Sequence, residues 1–265
     1  MRTAFATLML ALCQASAWAA GSIFDGTWRA EYPQKFDPQR KPDELELQNG
    51  HYTCKSCDPP YTLAADGKDH TVAGDPEFNT RSITIVDQRN VTKRAAGRGG
   101  LSIISQCTVS EDGSKLTELQ TISGMAAKPF VIRVHSTRLT PGPPGSHLLS
   151  GTWRRVDYDM PNNEEDTVLH VEGNELSMSD GLGRSFKAKL DGSRAPYHGN
   201  PEFSSVSVKL LDSHTLEESD LQADQVVKVT RWSVDPDGTT MHARFDDTHG
   251  HIQEQLGHKL PVAAH

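Results

Sequence analysis

The sequence predicts an all-β protein made of two tandem antiparallel up-and-down β-barrels, and three observations carry that prediction. The chain repeats itself at a single offset. Its apolar residues alternate in short runs closed by turn residues. No run of eleven or more residues keeps a clean 3.6-residue apolar period, so helices have no place in the reading.

The repeat is the strongest of the three. Gly26-Thr27-Trp28-Arg29 falls on Gly151-Thr152-Trp153-Arg154, an offset of 125 residues. The same offset carries Asp66-Gly67 onto Asp191-Gly192, and Gly74-x-Pro76-Glu77-Phe78 onto Gly199-x-Pro201-Glu202-Phe203. It also carries Ser82 and Asp87 onto Ser207 and Asp212, and Asp112-Gly113 onto Asp237-Gly238. Most of these are turn formers and core anchors, and holding one offset throughout means the intervening loops kept their lengths. Apolar positions follow: Ile83-x-Ile85-Val86 corresponds to Val208-x-Leu210-Leu211, and Leu101 and Ile104 to Val226 and Val229. Pro141-Gly142-Pro143-Pro144-Gly145-Ser146 cannot continue a ladder and precedes the second Gly-Thr-Trp, so it reads as a linker. The expected domains are a first repeat over 20–140, the linker over 141–146 and a second repeat over 147–265.

Within the first copy the expected strands are 26–31, 44–48, 51–54, 61–65, 70–72, 81–86, 90–93, 101–109, 115–122 and 130–139. Asn49-Gly50, Asp66-Gly67, Gly99-Gly100 and Asp112-Gly113 supply the positive φ that tight hairpin turns need. So many short antiparallel strands must hide their edges, and closing into a barrel does that, with a sandwich as the alternative.

The first nineteen residues stand outside the fold. Ala4 to Leu12 is a short apolar run behind Arg2, and Ala17-Trp18-Ala19 offers a small-x-small cleavage pattern, so a signal peptide cut after Ala19 is expected. The mature protein is then expected to be exported to a periplasm. No second apolar run follows that could insert in a membrane. The net charge of −8, with no basic run to offset it, argues against nucleic acid as a partner. Lys93-Arg94 with Arg98 reads as a set of solvated hairpin charges. Three of the four cysteines remain after the signal, Cys54, Cys57 and Cys107, which implies one bridge and one spare thiol in an oxidising compartment.

Gly-x-Trp at the entry to the first strand, followed by a strand meander, resembles the lipocalin and calycin superfamily. That resemblance implies a barrel whose end is sealed by the Trp, here Trp28 and Trp153, with a basic residue of the last strand across each indole. The candidates are Arg138 in Ser-Thr-Arg-Leu and Lys259 in Gly-His-Lys-Leu. More closely, the chain resembles exported bacterial repeat proteins of unknown function. Their Asp-Gly-Lys-Asp, Gly-x-Pro and Ser-x-Asp-Gly-Lys-type elements stand here as 66–69, 74–76 and 110–114, the last with Ser114 in place of the Lys. These motifs are structural, and such barrels include carriers, enzymes and inhibitors.

Few residues point to chemistry. Cys54-Lys55-Ser56-Cys57 follows a strand and runs into Asp58-Pro59-Pro60, which leaves no helix N-terminus to stabilise a thiolate. The motif reads as a small structural disulfide between Cys54 and Cys57, with a thiol–disulfide exchange centre as the rival. Cys107 falls opposite Trp232 in the repeat and reads as a buried apolar residue. His249-Gly250-His251 matches no established metal spacing, and no catalytic or phosphate-cradling motif occurs, so no metal and no cofactor is expected. The acidic groups Glu164-Glu165-Asp166 and Asp246-Asp247 read as surface, and Tyr61, Phe78, Tyr158, Tyr197 and Phe203 as core. The expected function is a non-enzymatic binding protein holding a small apolar molecule in one or both barrels. The alternatives are a structural or interaction protein of the envelope with side-chain-filled barrels, or a thiol–disulfide enzyme.

Overall fold

The computed structural model describes residues 21–75 and 77–261; the expected signal peptide lies outside the described residues. The chain is all-β, and among the described residues no α-helix occurs. In the first copy the strands are β1 (Gly26–Ala30), β2 (Gln34–Lys35), β3 (Asp43–Gln48), β4 (His51–Cys54) and β5 (Tyr61–Ala64). They continue as β6 (Phe78–Ile85), β7 (Asn90–Gly97), β8 (Ser102–Val109), β9 (Lys115–Ser123) and β10 (Phe130–Pro141). In the second copy they are β11 (Gly151–Asp159), β12 (Thr167–Glu172), β13 (Glu175–Asp180), β14 (Ser185–Lys189) and β15 (Asp191–His198). The last five are β16 (Ser205–Asp212), β17 (Thr215–Gln222), β18 (Gln225–Val234), β19 (Thr240–Asp246) and β20 (Ile252–Lys259).

The turn chemistry is where the sequence put it. Asn49 and Gly50 both take positive φ, 52° and 72°, as a two-residue hairpin between β3 and β4 requires. Gly99-Gly100 ends the three-residue 3₁₀ turn Arg98–Gly100 between β7 and β8. The expected strand at 70–72 is reduced to one bridge, His70 to Arg81.

The sheets are two barrels. One is closed, in the order β1-β12-β13-β14-β15-β16-β17-β18-β19-β20 and back to β1. The other runs β5-β4-β3-β11-β10-β9-β8-β7-β6 and is nearly closed, with Asp66–Thr84 and His70–Arg81 bridging the gap between β5 and β6. The short β2 pairs β11.

The units of the sequence repeat are not the units of the fold. β1 belongs to the first copy, yet it fills the slot between β12 and β20 in the barrel of the second. β11 belongs to the second copy and fills the slot between β10 and β3 in the barrel of the first. The ranges 20–140 and 147–265 therefore each build one barrel less its first strand, which the other copy supplies. Both strands open with Gly-Thr-Trp-Arg, so the motif that identifies the first strand of each copy does not tell the two slots apart. The core confirms the exchange: Trp153 is buried at 0 % exposure among Leu47, Tyr52, Ile83, Val109 and Leu116 of the first barrel. Trp28 is buried with Leu176, Val206, Val208 and Leu216 of the second.

The barrels also touch through loops. In the turn between β9 and β10, the N–H groups of Ala127 and Lys128 donate to the carbonyls of Gly199 and Leu182, both at 3.1 Å.

Candidate functional site

Each barrel has a sealed end and a lumen. At the sealed end of the first barrel the guanidinium carbon of Arg138 lies 4.0 Å from the ring centre of Trp153. Its nitrogens donate to the carbonyls of Gly113, Leu148 and Ser150. At the second, Lys259 Nζ lies 4.7 Å from the ring centre of Trp28 and donates to the carbonyl of Ile23 at 2.9 Å. The indole N–H of Trp28 donates to Phe24 and that of Trp153 to Leu149, positions equivalent in the repeat. The cation is thus on the last strand of one copy and the indole on the first strand of the other. The glycine of Gly-Thr-Trp has its own reason. Gly26 and Gly151 take φ of 132° and 139°, and a Cβ on Gly151 would sit 2.5 Å from the carbonyl oxygen of Thr140.

The lumen of the first barrel holds a cavity of about 250 Å³. Lys93 points into it rather than to solvent, correcting its reading as a solvated hairpin charge, because it shares the inward face of β7 with Val91 and Ala95. Its Nζ lies 2.9 Å from Glu118 Oε2 of β9. Arg155 of β11 pairs through Nε with Asp43 at 2.7 Å. Burial pushes the Glu118 carboxyl up, but Lys93 and Arg155 outweigh it and hold Glu118 below its ordinary value. Arg81 pairs with Asp75 at 2.7 Å and lies across Tyr61 and Phe78, at 5.1 and 4.7 Å from their ring centres.

The lumen of the second barrel holds a cavity of about 150 Å³. Alternation along β17 sends Leu216, Glu218 and Asp220 inward. Glu218 Oε2 accepts a hydrogen bond from the indole N–H of Trp232 at 3.1 Å. Burial and the neighbouring Asp220 carboxyl, opposed by Lys228, push Glu218 up to about 8. Asp220 is wholly buried with Lys228 Nζ 2.9 Å away, yet neither oxygen has a well-directed hydrogen-bond partner among the described residues. The ammonium offsets its charge without filling its lone pairs. Thr230, directly across from Glu218 on β18, is also buried with an unpartnered hydroxyl. Arg184 pairs with Asp180 at 2.5 Å, and Trp28, Tyr197, Trp232 and Phe245 complete an aromatic wall.

The acidic run 164–166 is not free surface. Glu165 accepts the hydroxyl of Tyr32 at 2.5 Å and lines the second lumen, and Asp166 pairs with Arg29 of β1 at 2.6 Å. Of the aromatics read as core, Tyr61 and Phe78 line the first cavity and Tyr197 the second. Tyr158 instead meets Tyr32 and Phe36 between the barrels, with ring centres 6.2 and 5.4 Å away.

Cys54 and Cys57 form a disulfide at the margin of the first cavity, at the end of β4. Cys107 is a free, buried thiol, pushed up to about 12 by its burial against the pull of Lys93. His251 pairs with Asp247 at an exposed hairpin, and the described residues hold no cluster of three metal ligands. No described helix is long and apolar enough to cross a membrane.

Compared with family models, with curated proteins and with solved structures, the chain matches none.

Proposed function

We propose that this is an exported, non-enzymatic binding protein that holds a small molecule in the lumen of one or both barrels. The observation that carries the reading is the pair of cavities, about 250 and 150 Å³, that the two lumens keep where side chains could have filled them. Both linings mix aromatic rings with buried charged groups. Such a lining favours a ligand with a polar or charged group on an apolar body over the wholly apolar molecule that the sequence suggests. Export rests on the pattern of residues 1–19.

Native mass spectrometry of protein purified gently from its source tests the reading. A native mass above that of the chain, with the excess released as a small molecule on denaturation, is the expected result. A bare native mass across growth conditions would overturn it.

A second reading, an envelope interaction protein, is favoured by one feature. Val86 is 62 % exposed at the end of β6, and beside it Ile85, with its repeat equivalent Leu210, is 42 % exposed. Retained ligand-free mass together with loss of a partner on Val86→Lys would favour it over the carrier.

A further inference from the structure

The two lumens carry different charge at the same positions of the repeat. Adding the 125-residue offset turns Lys93 into Glu218, Cys107 into Trp232, Glu118 into Ala243 and Gln120 into Phe245. The strand registers confirm the equivalence: Cys107 faces Glu118 across β8 and β9, as Trp232 faces Ala243 across β18 and β19. The second lumen has therefore exchanged a cation for a carboxyl and gained two aromatic rings.

Its charges do not cancel once Glu218 is ionised. Lys228 is matched by Asp220, Arg184 by Asp180 and Arg29 by Asp166. Glu165 takes only the Tyr32 hydroxyl, and Glu218 only the Trp232 indole N–H among hydrogen bonds in the described residues. Glu218 is 6 % exposed and lines the cavity beside the rings of Trp232 and Phe245, which meet edge to face at 6.1 Å. A carboxylate at a desolvated aromatic wall is the arrangement that holds an organic ammonium, through the ring quadrupoles and one full charge. The unpartnered Thr230 hydroxyl, opposite Glu218, is a further buried polar group left over in the same cluster.

We infer that the second barrel binds a small organic ammonium, its charged nitrogen between Glu218 and the rings of Trp232 and Phe245, on the side away from Lys228, whose Nζ lies 5.8 Å from the Phe245 ring centre. This rests on the proposed carrier function and names the ligand class of one of its two sites. A cavity near 150 Å³ is of the size that accepts a benzene-sized group, which suits an ammonium head bearing methyl groups. Asp220, Lys228, Asp180, Arg184, Glu165 and Tyr197 also face or adjoin this lumen. With Glu218 protonated in the free protein near neutral pH, entry of the cation expels its proton to solvent, so affinity rises with pH toward the value of about 8.

Isothermal titration of the full mature chain with choline and with 3,3-dimethylbutan-1-ol, its uncharged isostere, tests this. The expected result is choline binding about tenfold or more tightly than the alcohol. Glu218→Gln should erase that difference with the fold intact by circular dichroism, whereas Glu217→Gln, the neighbouring carboxylate on the outer face of β17 paired with Arg231, should leave it. Alcohol binding as well as choline would overturn the ammonium assignment while leaving a ligand-holding lumen in place. A choline preference that survives Glu218→Gln would overturn it also. No binding of either compound at millimolar concentration would overturn it too, and the native mass then judges the carrier reading separately.

Discussion

Arg138 stacks on Trp153 at 4.0 Å, and the two residues lie on neighbouring strands from different copies of the repeat. The guanidinium does two things there. It covers the indole face, and it satisfies three carbonyls, those of Gly113, Leu148 and Ser150. Lys259 on Trp28 covers the same face but satisfies one carbonyl. Arg138→Met should therefore cost about 2–4 kcal/mol, since it strands several acceptors as well as losing the cation–π contact. Lys259→Met should cost about 1–2 kcal/mol. Urea unfolding of the two variants checks the order; equal losses would show that the carbonyl contacts contribute little.

The strand ladder was legible because turn residues and alternation are local signals. Asn49-Gly50 fixes its hairpin whatever surrounds it. The exchange of β1 and β11 was not legible, because two strands that both begin Gly-Thr-Trp-Arg carry no information about which slot each fills. The lumen charges were half legible. Lys93 shares parity with Val91, and Glu118 with Leu116, and Glu218 with Leu216, so a charge on the apolar parity of a strand was a readable sign. The partners were not readable, since Lys93 of β7 and Glu118 of β9 meet from 25 residues apart across the intervening strand β8.

The strand exchange predicts which barrel fails when an N-terminal strand is removed. Deleting residues 1–31 takes away β1, whose partners are β12 and β20. Hydrogen exchange should then rise steeply in β12 and β20, while β3 and β10, which flank β11, keep their protection. Contiguous folding of each copy would give the opposite map, with β3 and β10 exposed.

The thiol of Cys107 is buried at 1 % exposure and held up at about 12, so it is protonated and out of reach at neutral pH. In a chain beginning at Gly21, a thiol reagent should label no cysteine in the native protein. It should label one after unfolding, and three after unfolding with reduction of Cys54–Cys57. Native labelling of Cys107 on the same timescale would mean that the first barrel opens readily between β5 and β6.

The two barrels should respond to pH in opposite directions, because their buried carboxyls are shifted in opposite directions. Glu118 titrates below its ordinary value, so its native form binds fewer protons than the unfolded chain in acid. Its contribution to the first barrel is full above the unfolded carboxyl value and is lost as pH falls through the lowered one. Glu218 is raised to about 8, so between the ordinary carboxyl value and about 8 the native second barrel holds a proton that the unfolded chain releases. Its stability accordingly declines as pH rises across that window and levels off above it. Glu218→Gln should remove this decline and leave the second barrel more stable than wild type at pH 8–9, while Glu118→Gln should weaken the first at pH 7 by leaving Lys93 unpaired. Hydrogen exchange resolved by barrel at pH 5, 7 and 9 checks both. A second barrel whose protection stays flat or increases from pH 5 to 9 would mean that Glu218 is already ionised, and that Lys228 serves both carboxylates.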